Sequence, residues 1–85
     1  MRIRPDLVLV ALPPREERRT DAGVIVQPDD RPAQAGIVRQ VGAAVGDVAA
    51  GDRVLFSTLV GLELEVDGWP HLLLREQDID AVIER

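Results

Sequence analysis

The fold is decided by one short stretch in the second half of the chain, Leu62-Glu63-Leu64-Glu65-Val66-Asp67-Gly68. Leucine or valine alternates strictly with glutamate from residue 62 to residue 66, which is the period of a β-strand with one face in solvent. The pair Asp67-Gly68 supplies the positive φ angles that a type I′ turn requires. Residues 69–74 are therefore predicted to return antiparallel, as the second strand of a hairpin.

Short apolar segments separated by turn residues continue on both sides of this hairpin. Residues 3–12 are rich in Leu and Val and are followed by Pro13-Pro14, and residues 36–42 contain Ile37, Val38 and Val41 between two glycines. Residues 53–56 follow a Gly-Asp turn, and residues 79–83 follow a polar turn at the C-terminus. Six short strands joined by turns predict an all-β fold, a small barrel.

A polar segment lies between the first two of these strands. Residues 13–22 show no apolar period, and the prolines at their start leave roughly two turns, too few for a stable isolated helix. We therefore expect a solvated loop. It leads into Gly23 and the β-branched residues Val24, Ile25 and Val26. From the residues alone, this tripeptide is either an internal strand or a contact site for another molecule.

Composition argues against nucleic-acid binding. Ten basic residues, all arginine, stand against fifteen acids, and the net charge is −5. Binding to phosphate backbones needs clustered cations, and readers of single strands add stacking aromatic residues. This chain has one Phe and one Trp. An oligonucleotide-binding barrel is therefore not expected.

The sequence also predicts a protein that does not enter a membrane. No apolar run approaches the roughly 18 residues of a membrane helix, and the N-terminus lacks the pattern of a signal peptide. The absence of cysteine fits a reducing compartment. We expect a cytoplasmic protein.

The chain is small enough to need partners. A chain of 85 residues buries only roughly 60% of its unfolded surface when it folds alone. The usual supports of small folds, disulfides and structural metals, are unavailable to a sequence with no cysteine and a single histidine, His71. Oligomerisation is the expected substitute.

No residue pattern predicts an enzyme. Glu63 and Glu65 fall on the solvent face of their strand, where a carboxyl group lacks the burial that acid catalysis requires. Asp52 is interpreted as a turn residue, and His71 as a surface or hairpin residue without a base partner. We therefore predict no catalytic residues, no metal site and no bound cofactor.

Several motifs, in this order along the chain, carry a resemblance to one family. They are Arg4-Pro5 with Val8-Leu9-Val10, then Gly23-Val24-Ile25-Val26 after a charged loop, then Gly51-Asp52-Arg53-Val54-Leu55-Phe56, Asp67-Gly68, and Leu72 with residues 75–84. Each motif alone is weak, but their order and spacing together are specific. The chain resembles the GroES co-chaperonin family over nearly its whole length.

The resemblance implies a fold, a partner and a binding loop. It implies one GroES-like domain over residues 1–85, forming a homo-heptameric dome over a GroEL-type chaperonin that itself binds and hydrolyses the ATP. A mobile loop of about residues 13–28 would dock on the chaperonin through Gly23, Val24, Ile25 and Val26. A diverged or virus-encoded GroES-like interaction module without general chaperonin activity is the alternative.

Two further expectations concern the ring. Edge strands near the two termini should pair between subunits, with Ile3 and Arg4 of one subunit against Val82 and Ile83 of the next. Residues 43–50 replace the longer roof hairpin of the family. This shortened roof should leave an opening at the top of the dome.

Overall fold

The computed structural model of the chain describes residues 2–14, 25–26 and 32–84. These residues contain seven β-strands and a 3₁₀ turn, and they are β1 (Leu7–Ala11), β2 (Ile25–Val26), β3 (Pro32–Val41), β4 (Arg53–Ser57), β5 (Leu62–Val66), β6 (Trp69–Arg75), the 3₁₀ turn (Glu76–Asp78) and β7 (Ile79–Glu84). All pairings are antiparallel, in the order β5-β6-β1-β3-β4-β7, with β2 on the start of β3. The all-β prediction is confirmed. In the described residues, no helix is long and apolar enough to cross a membrane.

The sheet surrounds one small core. The buried cluster draws on β1, β3, β4 and β6, on the residue just after β1 and on one valine of the β3–β4 connection; it comprises Val8, Val10, Leu12, Val38, Val48, Val54, Phe56, Leu72 and Leu74. Half-buried Ile79 and Val82 of β7 pack against the same cluster. Strands from the middle and the end of the sheet therefore share one core, which is the barrel-like arrangement expected of the subunit. Full burial of each such side chain contributes about 1.5 to 3 kcal/mol.

The hairpin forms where the alternating stretch predicts it. Val66 pairs with Trp69 across the turn, and both turn residues have positive φ, 53° at Asp67 and 79° at Gly68. The following turn also forms as predicted, with the Arg75 N–H donating to Asp78 Oδ2 at 3.3 Å.

The first strand is shorter than its sequence suggests. Strand β1 begins at Leu7, and residues 3–6 lie outside any strand. Pro5 has no N–H to donate to a ladder, and the Leu7 N–H instead donates to the Arg4 carbonyl at 3.1 Å, which closes a local turn. The expectation of a strand at Ile3 is therefore wrong within the isolated subunit. Strand β3 is longer than expected and begins at Pro32.

The β3–β4 connection closes one end of the core. Val48 is buried, and the turn before β4 is fixed by the buried residue Asp52, whose Oδ2 accepts the Ala49 N–H at 3.0 Å. The Asp52 N–H in turn donates to the Ala49 carbonyl, and its carbonyl accepts the Val38 N–H. These bonds support the interpretation of Asp52 as a turn residue.

Candidate interaction surfaces

The tripeptide that follows the loop lies partly within the described residues. Gly23 and Val24 lie outside them. Ile25 and Val26 form β2, with Ile25 opposite Ala33 and Val26 opposite Pro32 at the start of β3. The chaperonin-binding role assigned to these four residues stays a prediction.

The position at which the loop leaves the sheet is closely defined. Leu12 is buried, its N–H donates to the Pro70 carbonyl at 3.0 Å, and its carbonyl accepts the indole N–H of Trp69 at 2.9 Å. The chain therefore leaves the sheet from a point held by both backbone and side-chain bonds. The sequence pattern indicates only that Trp69 begins the returning strand, and it does not indicate this bond. Its place directly after a two-residue turn was the available signal.

A groove of about 690 Å³ borders this exit point, on the outer face of the sheet. Its apolar lining includes Leu9, Ala11, Ile37 and Trp69. His71 also lines the groove; it is buried, and its Nδ1 lies 2.8 Å from the Trp69 carbonyl oxygen. The histidine thus belongs to the hairpin, as expected, but not to the surface. Strand alternation shows which residues share a face, but it does not show how far each of them is buried.

The described residues offer little that could hold a metal ion. Within ranges 2–14, 25–26 and 32–84, no three side chains of His, Asp or Glu come together as a candidate site.

The predicted subunit-contact residues occupy two separate places. Ile3 is half-buried and Arg4 is exposed, and both line a cleft with Ala43. Val82 faces the core from β7, whereas Ile83 is 41% exposed. Strand β1, which follows the N-terminal residues, is separated from β7 by β3 and β4 in the sheet order. Within one subunit, the two sets are therefore not on neighbouring strands.

Strand β7 lies at one end of the sheet order. Among the described strands it pairs only with β4. An edge of this kind is a template for pairing with a second chain.

The sequence is similar to known proteins over most of its length. The family model described as Chaperonin 10 Kd subunit matches residues 2–83. Co-chaperonin GroES of Thioalkalivibrio sulfidiphilus is 38% identical over 100 aligned positions, which cover 99% of each chain. Co-chaperonin GroES of Legionella pneumophila is 42% identical over 97 positions, which cover 100% of each chain. Co-chaperonin GroES 2 of Rhodopirellula baltica is 44% identical over 80 positions, which cover 81% of this chain and 86% of that one. The chain belongs to the Cpn10 family, the 10 kDa chaperonin subunits.

Proposed function

We propose that this chain is a co-chaperonin, which assembles into a ring and caps a GroEL-type chaperonin in a nucleotide-dependent manner to enclose folding client proteins. The observation that carries the proposal is the family match over residues 2–83. The full-length similarity to proteins named co-chaperonin GroES supports it. The all-β subunit, in which β7 ends the described sheet order, is consistent with such a ring.

The ring is a homo-heptamer in this proposal. Ile3 and Arg4 of each subunit contact Val82 and Ile83 of the next. A contact between two different surfaces of identical subunits closes into a ring when the rotation between them allows it. The exposed side chain of Ile83 and the position of β7 at one end of the described sheet order support this assignment.

The chaperonin contact is made by Gly23, Val24, Ile25 and Val26. Burial of three β-branched side chains contributes about 5 to 9 kcal/mol gross, at about 1.5 to 3 kcal/mol each. Ordering a segment on binding costs about 2 to 5 kcal/mol, and association itself costs more. One loop therefore binds weakly. A ring that presents several loops converts the later contacts into intramolecular ones, and each loop still releases easily.

Catalysis belongs to the partner. The family is one of chaperonin subunits and not of enzymes. In this proposal the chain supplies no catalytic residue and binds no cofactor, ATP and ADP are bound by the chaperonin, and the complex works in the cytoplasm without nucleic acid or membrane.

Capture by a purified GroEL-type chaperonin, with and without adenine nucleotide, tests the contact residues. Ile25→Ser should abolish nucleotide-dependent capture, because the loss is repeated around the ring. Leu59→Ser is a matched control, since it changes another aliphatic residue, 86% exposed, in the β4–β5 turn. It should be captured like the unaltered protein. Undiminished capture of Ile25→Ser would show that the tripeptide is not the contact.

A further inference from the structure

Three segments that are distant in sequence meet at one end of the sheet. They are the N-terminal arm (residues 2–6), the start of the β3–β4 connection (residues 42–47) and the 3₁₀ turn at Glu76–Asp78. The Gly42 N–H donates to the Leu7 carbonyl at 2.9 Å, and the Ala44 N–H donates to the Pro5 carbonyl at 2.9 Å. The connection therefore lies directly against the base of the arm.

Gly42 is the point of closest approach between the two segments. A Cβ at this position would overlap the backbone carbonyls of Arg4 and Pro5. Only a residue without a side chain lets the connection come this near, so the absence of a Cβ is required here by space.

Glu76 joins the third segment to both of the others. Its backbone N–H donates to the Asp6 carbonyl at 3.2 Å. Its carboxylate oxygen Oε2 accepts the Gly46 N–H at 3.0 Å and the Asp47 N–H at 2.7 Å. Consecutive backbone amides directed at one anionic oxygen form a small anion-binding concavity, and bonds to a charged acceptor are stronger than neutral ones. Here the anion is a side chain of the same subunit.

We propose that Gly42, Gly46, Asp47 and Glu76 form a brace that positions the N-terminal arm for contact with the neighbouring subunit. This inference rests on the ring proposed above. The arm leaves the brace at Asp6 and carries Ile3 and Arg4, which line a cleft with Ala43 of the connection. An arm that is already ordered loses less conformational entropy when a ring closes. The Glu76 carboxylate acts as a positioning group through the connection, whose Ala44 N–H donates to the Pro5 carbonyl of the arm.

The brace can be altered without disturbing the core. Glu76 is half-buried and is absent from the buried cluster that surrounds Phe56. Glu76→Ala removes both bonds to the connection. Glu76→Asp keeps the charge but shortens the side chain by one methylene, so that it no longer reaches both amides. Glu76→Gln keeps an oxygen at the same reach and should rescue most of the effect. The adjacent exposed residue supplies the control, Gln77→Ala.

Two measurements on these variants test the proposal. The first is amide hydrogen exchange at Gly46 and Asp47 at concentrations where subunits are separate, which reports on the brace alone. The second is the subunit dissociation constant from sedimentation velocity over a concentration series. We expect faster exchange and a dissociation constant about tenfold or more higher for Glu76→Ala and Glu76→Asp, with Gln77→Ala unchanged.

The outcomes separate this inference from the proposed function. Unchanged exchange at Gly46 and Asp47 in Glu76→Ala would overturn the brace. Faster exchange with an unchanged dissociation constant would overturn its role in assembly. If the unaltered protein forms no ring at any concentration, the proposed function fails and the assembly role fails with it, whereas the exchange measurement still decides whether the brace exists.

Discussion

The β3–β4 connection and the β5–β6 hairpin differ in how far they bury their apolar side chains. The connection buries Val48 at 6% exposure, and its backbone bonds to segments distant in sequence. The hairpin leaves large apolar side chains in solvent, with Leu62 65% and Trp69 47% exposed. The connection thus packs Val48 within the subunit. The hairpin keeps apolar side chains exposed in the part of the chain that the structure describes.

The two regions also differ in what holds them. The hairpin depends on local features, a two-residue turn and a strand that pairs with its immediate successor. The connection depends on a carboxylate that lies 30 residues from one of its two amide partners and 29 from the other. The same substitution should therefore have very different consequences in the two places.

The largest expected effect comes from placing a charge in each region. Val48→Asp puts an unpaired carboxylate in the core and should lower the free energy of unfolding by about 3 kcal/mol or more. Leu62→Asp should change it by no more than about 0.5 kcal/mol, because this side chain is already in solvent. Urea unfolding at one fixed protein concentration measures both. Equal losses of free energy in the two variants would contradict the difference in burial between Val48 and Leu62.

A smaller effect is expected at the turn that ends the connection. Asp52→Ala removes the acceptor of the Ala49 N–H and should cost about 1 to 2 kcal/mol, as the loss of a buried cap does. Asp52→Asn keeps an oxygen acceptor in place and should lose less. Thermal or urea unfolding of the two variants checks the difference. If alanine and asparagine were equivalent, the bond to Ala49 would not be what holds this turn.

The smallest expected effect concerns the side-chain hydrogen bond from Trp69 of the hairpin to Leu12 at the loop exit. Trp69→Phe removes the indole donor to the Leu12 carbonyl and should cost about 0.5 to 1.5 kcal/mol. Hydrogen exchange at residues 11 and 12 should quicken more than exchange in β4, which the bond does not touch. A uniform change over both strands would contradict a local role for Trp69.

Features formed by residues near in sequence could be predicted, and features formed by distant residues could not. The alternation from Leu62 to Val66 and the Asp67-Gly68 turn predict the hairpin because each partner is near in sequence. The first strand was predicted too long, because a local turn at Pro5 removes residues 3–6 from the ladder. The two bonds of the Glu76 carboxylate leave no trace in the sequence pattern, since its partners are the backbone amides of residues 46 and 47.

The interaction residues are a separate case. The roles of Ile25 and Val26 toward the chaperonin, and of Ile3 and Ile83 toward a neighbouring subunit, depend on other molecules. The structure describes the backbone pairing of β2, the exposure of Ile83 and the cleft that Ile3 lines. The opening expected above residues 43–50 is likewise a property of the ring, which imaging along its axis would reveal.

Sedimentation of the unaltered protein with a purified GroEL-type chaperonin tests the central claim most directly. We expect rings of this chain to sediment with the chaperonin when adenine nucleotide is present. They should separate from it when nucleotide is removed. Absence of any complex, or a complex that forms equally well without nucleotide, would contradict a capping co-chaperonin. The former result would favour the alternative interpretation, an interaction module that no longer binds a chaperonin.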